Sequence, residues 1–175
     1  MNIHLRPFAM QDAAAFAQAV NESLDSLLPW MVWAHAGYSE QDAREWFAFT
    51  AMQRSKGEAD EFGIYDDEGH LLGGAGLRYA RDKFSLPAIG YWVRSSHQRR
   101  GIARQAVSDL AALAFRCAEV NTVEILAAEA NLASRAVAKA SGAEFIDMRY
   151  GLIILDSGPV NTAIYHLRRR HQAAQ

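Results

Sequence analysis

The sequence has one cysteine, no long apolar run and no excess of positive charge. A lone thiol, Cys117, cannot form an internal disulfide, which favours a reducing compartment. No stretch approaches the ~18 consecutive apolar residues of a transmembrane helix. The first seven residues lack the apolar core of a secretion signal. We therefore expect a cytoplasmic protein that does not associate with membranes.

The balance of charge also excludes a general nucleic-acid-binding role. Lysine and arginine total 18 against 20 aspartate and glutamate residues, for a net charge of -2, whereas nucleic-acid binding needs a basic domain or face. The terminal run Arg168 to His171 is expected to be a solvated tail. With 175 residues, half of them hydrophobic, the chain is expected to form one soluble domain over residues 1–175.

Hydrophobic periodicity and turn residues predict an α/β (α+β) fold, a mostly antiparallel sheet flanked by helices. A capping pair, Ser39 with Asp42, begins one predicted helix, whose buried side is expected to carry Trp46, Phe47 and Phe49. Cys117 is expected to be buried at the end of a long helix. The other predicted helices span 11–20, 102–117 and 132–141, and 24–33 is expected to be a packed loop or short helix. The predicted strands span 3–6, 62–65, 71–79, 88–93, 123–127, 144–147 and 163–167, with a break over 57–60 and a hairpin turn over 66–69.

One segment carries a chemical signal: the strand Ile89-Gly90-Tyr91-Trp92-Val93, a polar loop, and the helix start Gly101-Ile102-Ala103. The first amides of a helix are unpaired and carry partial positive charge, which favours a phosphate. Arg99, Arg100 and Arg104 add positive charge there. The three-glycine dinucleotide loop and the P-loop are both absent. An ordinary helix start with solvated arginines would also match this segment taken by itself.

Residues 91–103 resemble the signature of the GNAT superfamily of N-acetyltransferases, a strand ending in valine followed by Gln/Arg-x-x-Gly-x-Gly/Ala. Gln98, Gly101 and Ala103 occupy its three defining positions, and the downstream Asn-x-x-Ser appears as Asn131 to Ser134. The segment Leu28 to Trp33 resembles the tryptophan-containing segment of the RimJ/RimL branch. The resemblance implies the GNAT-like fold and acetyl-CoA as co-substrate, with no metal.

The resemblance also implies roles for individual residues. Tyr91 and Val93 would contact the pantetheine arm through their main chain. Gln98 and the turn Arg99, Arg100, Gly101, Ile102, Ala103 and Arg104 would hold the pyrophosphate. Asn131 would lie beside the pantetheine, although a helix N-cap role fits it equally. Ser134 would give a proton to the departing thiolate, and Trp30 and Trp33 would line the acceptor cleft.

One departure from the family pattern concerns the general base. Many relatives carry glutamate directly before Ile-Gly-Tyr, but here that position is Ala88. Glu124, Glu129, His4 and His35 are the remaining candidate proton acceptors, and none of them is assigned.

The missing carboxylate bears on the acceptor, because only a neutral amine attacks a thioester. At pH 7, deprotonating an α-amine of pKa near ~8 costs about 1 kcal/mol, against about 4–5 kcal/mol for lysine near ~10.4. We therefore expect a protein N-terminal α-amine as acceptor, with direct attack and a water relay for the proton. A small amine (amino acid, polyamine or drug-like) and a non-catalytic CoA-sensing module are the alternatives. A homodimer is left open.

Overall fold

The computed structural model describes residues 1–170, which form a seven-stranded sheet in the order β1-β2-β3-β4-β5-β7-β6 with helices on both faces. The strands are β1 His4–Arg6, β2 Ala59–Tyr65, β3 Leu71–Arg78, β4 Ala88–Val93, β5 Thr122–Ala128, β6 Glu144–Leu155 and β7 Gly158–Arg168. The helices are α1 Ala13–Glu22, α2 Leu24–Leu27, α3 Glu40–Ser55, α4 Ile102–Ala114 and α5 Leu132–Ala140. Short 3-10 turns occur at Met10–Asp12 and Ser95–His97.

The sheet is antiparallel except where β4 pairs with β5, which confirms the predicted fold class. One hydrophobic core lies between the sheet and helices α4 and α5, and includes Ile89, Leu110 and Val123. A second lies on the opposite face against α1 and α3, and includes Phe16 and Phe47. Because successive side chains in a strand point to opposite faces, the three strands β2, β3 and β4 contribute to both cores, with Ile64, Leu72 and Ile89 in the first and Tyr65, Leu71 and Trp92 in the second.

Local sequence signals account for several element boundaries. The Ser39 hydroxyl accepts from the Asp42 amide (3.0 Å) and the Asp42 carboxylate accepts from the Ser39 amide (2.8 Å), so the predicted capping pair that begins α3 is confirmed. The β2–β3 turn is also confirmed: Gly69 has φ +85° and its amide donates to the Asp66 carbonyl. Strand β4 spans the predicted residues.

The end of α4 differs from the prediction. The helix stops at Ala114, so Cys117 lies beyond it and is exposed rather than buried in the core. Arg169 explains the early end, because its guanidinium donates to the carbonyls of Phe115, Cys117 and Val120 at 2.8–2.9 Å. The expected solvated tail was therefore wrong at Arg168, which is part of strand β7, and at Arg169. His171 lies outside the described residues.

Three further expectations need correction. Phe49 is 46% exposed, so the buried side of α3 is formed by Phe47 with half-buried Trp46. Strand β2 begins at Ala59, inside the segment 57–60 where a break was expected. Glu61 therefore lies in the sheet. Strands β6 and β7 are each longer than predicted and pair with each other as a hairpin, and β7 lies inside the sheet between β5 and β6. No helix within residues 1–170 is long and apolar enough to cross a bilayer.

Candidate active site

A gap between β4 and β5 is the main opening in the sheet. Both strands are fully described, and the ladder between them consists of one residue pair, Ala88 with Glu124. Next to this pair, the Glu124 amide donates to the Pro87 carbonyl at 2.8 Å. β4 continues for five residues beyond this pair and β5 for four, without a further ladder pair. The sheet is therefore closed at Ala88 and open toward Val93.

The backbone of β4 presents unpaired groups to this gap. The Arg94 amide donates to Leu72 of β3 at 2.8 Å, whereas the Pro87 carbonyl faces β5. Backbone groups alternate in direction along a strand, so the odd-numbered residues of β4 point toward β5. The amide and carbonyl of Tyr91 and the amide of Val93 thus face the gap.

The open end of the gap leads to the turn that begins α4. Gly101 is the N-cap of α4 with φ +77° and no side-chain cap, and Arg99 has φ +62°. Arg99, Arg100, Gly101 and Arg104 are all exposed. A non-glycine residue with positive φ is strained by about 1 kcal/mol or more. The turn therefore exposes the first amides of α4, which no side chain caps, beside three guanidinium groups.

Gln98 lies at the same end, and its exposed side chain is bonded back to the protein. Its side-chain nitrogen donates to the Val93 carbonyl and to the Ser26 hydroxyl, each at 3.1 Å. Through these bonds Gln98 ties the turn to the end of β4 and to α2, which holds the open end in shape.

Asn131 and Ser134 meet Tyr91 at the start of α5. The Asn131 side-chain oxygen accepts from the Ser134 amide at 3.3 Å, an N-cap bond. The Tyr91 hydroxyl donates to the Ser134 carbonyl at 2.8 Å, and the Ser134 hydroxyl donates to Tyr91 at 3.3 Å. Burial raises the pKa of Tyr91 to about 12, so the phenol is neutral at pH 7. The structure brings these three predicted residues together.

The other face of β4, on the α1/α3 side, has aromatic walls. Trp92 stands on this face with its ring centroid 5.8 Å from Trp33 and 5.6 Å from Phe16. Trp33 also borders an open pocket of about 240 Å³ that is lined by Trp33, His35, Tyr38, Asp42, Glu45 and Trp46. Trp30 is half-buried and does not line this pocket. Of the two tryptophans predicted for the acceptor side, the structure thus joins only Trp33 to the aromatic wall.

Two carboxylates lie on the same α1/α3 face of the sheet. Glu124 is beside Ala88, and burial raises its pKa. Glu61 of β2 lies over Gly76 of β3, and burial raises its pKa to about 7 against the opposing charges of Arg78 and Arg54. Sequence reasoning missed Glu61 because the predicted strand began one residue after it.

The other candidate proton acceptors are paired with neighbouring side chains. His4 pairs with Asp67 at 2.6 Å on the β1 side of the sheet, and His35, which lines the pocket beside Trp33, pairs with Asp42 at 3.2 Å. The Glu129 carboxylate accepts from Asn161 at 3.0 Å.

Within residues 1–170 one set of side chains comes close enough together to hold a metal. It consists of Asp66, Glu68 and His70 in the β2–β3 turn. His70 is bonded to Asp66 at 3.0 Å. The set is part of the turn and not of the gap.

The sequence matches the family described as acetyltransferase (GNAT) domain over residues 2–144. The chain belongs to this family. It is therefore an acyl-CoA-dependent acetyltransferase, as the signature from Tyr91 to Ala103 implied. Comparison of this GNAT chain with curated proteins gives no match.

Solved structures of low sequence identity share the fold. RimL, a ribosomal L7/L12 alpha-N-protein acetyltransferase in complex with coenzyme A, is 20% identical with a TM-score of 0.84, covering 96% of this GNAT chain and 94% of that chain. Mycobacterium smegmatis RimJ in complex with CoA-disulfide is 22% identical with a TM-score of 0.83, covering 95% and 81%. The microcin C7 self-immunity acetyltransferase MccE, in complex with acetyl-CoA and AMP, is 18% identical with a TM-score of 0.86, covering 95% and 92%.

Proposed function

We propose that the protein transfers an acetyl group from acetyl-CoA to a primary amine, in the cytoplasm. The observation that carries this proposal is the one-sided gap between β4 and β5, which runs from Ala88 to the α4 turn. A pantetheine arm needs hydrogen-bonding partners along its length, and a pyrophosphate needs amides and positive charge. The gap offers the first and the turn offers the second, so the residues present fit CoA.

The same geometry supports a role for each residue. Tyr91 and Val93 would bind the pantetheine arm through the backbone groups that face the gap, while the turn from Arg99 to Arg104 would hold the pyrophosphate. Gln98 would act by holding the turn in place, since its side chain is bonded to Val93. Asn131 caps α5 with its oxygen, which leaves its side-chain NH₂ for the ligand.

Bound acetyl-CoA would supply an acyl group activated as a thioester. Ser134 is the residue that we propose as proton donor to the departing thiolate. Its hydroxyl is bonded to a neutral phenol, Tyr91, which can return a proton to it. The phenol already donates to the Ser134 carbonyl, so that bond would have to open during transfer.

We propose a protein N-terminal α-amine as the acceptor, bound on the α1/α3 face past Trp33. The low pKa of an α-amine suits a site without a carboxylate at position 88, and the likeness to RimL, an alpha-N-protein acetyltransferase, supports this choice. Asp42 and Glu45 in the pocket suit a cationic acceptor segment. The Ser39 bonds hold the pKa of Asp42 below its usual range, so it is anionic at pH 7. A small amine is the second candidate, favoured by the openness of the pocket to solvent.

Release of free CoA from acetyl-CoA, measured with a panel of N-terminal peptides and small amines, tests the proposal. We expect the highest kcat/KM with a peptide α-amine. Glu45→Gln should raise KM for a basic peptide, whereas Glu40→Gln, on the same helix but outside the pocket, should leave it unchanged. Tight CoA binding without turnover of any amine would refute the transferase and indicate a CoA-binding module. Turnover of small amines alone would refute the peptide acceptor.

A further inference from the structure

A carboxylate on β2 occupies the face of the sheet from which the expected one at position 88 is missing. β2 pairs with β3 and β3 with β4, in the register Glu61–Gly76–Gly90. Side chains in register on neighbouring strands point to the same face. Glu61 therefore shares the α1/α3 face with positions 88, 90 and 92 of β4.

The two glycines leave the path between Glu61 and β4 free of side chains. The carboxylate lies so directly over Gly76 that its three atoms would be within 3 Å of a Cβ at that position. At Gly90 an added Cβ would meet no atom within 4 Å, and this residue is exposed. Strands are spaced about 4.8 Å apart, so the carboxylate stands roughly one strand spacing from the exposed backbone of β4.

The Glu61 carboxylate is also unengaged. Among residues 1–170, no donor forms a hydrogen bond with either of its oxygens. Arg54, which is near, donates instead to Asp60 (3.0 Å) and to the Glu61 carbonyl (2.7 Å). Partial burial without a protein donor disfavours the charged form of this carboxylate, in keeping with its raised pKa. Such a group is better explained by a role toward a ligand than by a role in stability.

We propose that Glu61 is the general base of the transfer, taking a proton from the acceptor amine directly or through one water. This role rests on the proposed function. The acceptor arrives as an ammonium ion and loses one proton to the Glu61 carboxylate. The neutral nitrogen then bonds to the thioester carbonyl carbon as the carbon–sulfur bond breaks, and the second proton lost by nitrogen is matched by the one gained by sulfur. Glu61 returns its proton to solvent.

The charges around Glu61 suit this task. Burial raises its pKa to about 7, opposed by Arg78 of β3 and Arg54 of α3 and reinforced by Asp60 beside it. A base acts best when its pKa is near the working pH. Glu124, which also lies on this face, is at the closed end of the gap beside Ala88, whereas Glu61 is level with Gly90 in the open part.

The test compares four variants in the CoA-release assay. Glu61→Gln should lower kcat/KM about 100-fold at pH 7 and remove the acidic limb of the pH profile near pH 7, with the KM for acetyl-CoA unchanged. Gly76→Ala should have a similar effect, because it displaces the carboxylate without changing residue 61. Glu61→Asp should recover part of the activity, and Glu124→Gln should keep the acidic limb.

The acceptor's own pKa gives a readout that a structural role would not move. The fall in kcat/KM caused by Glu61→Gln should be large for an aliphatic amine. It should be small for an aromatic amine, because that amine is already neutral at pH 7. An equal fall in kcat/KM for both amines would overturn the role of Glu61. The same holds if the acidic limb of the pH profile is lost in Glu124→Gln and kept in Glu61→Gln. If the unmodified protein is active and Glu61→Gln has the same pH profile, only the role of Glu61 is refuted. If the unmodified protein shows no turnover, the proposed transferase function is refuted as well.

Discussion

Gly101→Ala tests the turn at the start of α4, because its effects on stability and on binding can be separated. Gly101 has φ +77°, and an added Cβ would meet no atom within 4 Å. The substitution therefore introduces backbone strain without a clash. Placing alanine in the left-handed region costs about 1–2 kcal/mol. In a protein of this size that corresponds to a fall in Tm of about 2–8 °C.

The effect on CoA affinity should exceed this strain. The methyl group would project from the turn into the space where we propose that the pyrophosphate approaches the exposed amides of α4. Loss of one hydrogen bond to a charged group is worth about 1.5–3 kcal/mol, so the Kd for CoA should rise roughly 10- to 100-fold.

Gly57→Ala is the matched control. Gly57 follows α3, has φ +68° and likewise has no atom within 4 Å of an added Cβ, so it should lose the same stability without a change in CoA binding. Thermal unfolding and isothermal titration calorimetry with CoA measure the two quantities. Equal falls in Tm together with an unchanged Kd for Gly101→Ala would refute the phosphate-binding turn.

Two further predictions concern side chains at and beside the site. Ser134→Ala should lower kcat about 100-fold without unfolding α5, because the N-cap bond uses the Ser134 amide. An unchanged kcat, under conditions where thiolate departure limits the rate, would refute the proton-donor role. Ser108→Ala on α4 is the control. Asp12→Asn should destabilise the protein by about 2 kcal/mol at pH 7, the range of hydrogen bonds to a charged group, because Arg6, the charge left behind, is 41% exposed. Burial opposes ionisation of Asp12, but its bonds with Arg6, the Ala9 amide and Tyr65 hold its pKa below the usual range. The contribution of Asp12 to the free energy of unfolding is therefore present above pH ~4 and is lost as pH falls through the folded pKa. Urea unfolding should show a smaller difference in stability between the two proteins at pH 3 than at pH 7. An equal difference at both pH values would contradict this role of Asp12.

The parts of the fold that follow from short-range signals were predicted well. Strand β4 was predicted at its observed bounds because its apolar run ends in a polar loop. The start of α3 was predicted because Ser39 and Asp42, three residues apart, cap each other. In each case the atoms that set the boundary lie within a few residues of it.

Boundaries set by distant residues were missed. The end of α4 depends on Arg169, more than 50 residues further along the chain, whose guanidinium takes up the carbonyls that follow the helix. Strands β6 and β7 were predicted too short, because much of β6 alternates poorly between buried and exposed positions at the sheet edge. Neither feature leaves a pattern at the position where it acts.

The candidate site divides in the same way. The turn at Gly101 is continuous in sequence, so its motif was visible before the structure. The face of the sheet is assembled from strands distant in sequence, so the absence of a carboxylate at Ala88 did not reveal whether another strand supplies one. A carboxylate can reach this face from β2 only where the intervening position of β3 has no side chain, and Gly76 meets that condition. If Glu61 is the base, a glycine with no contact to either substrate is as necessary for the chemistry as the carboxylate itself. The reaction would then require a carboxylate on the α1/α3 face of the sheet, and not one at position 88 of the sequence motif.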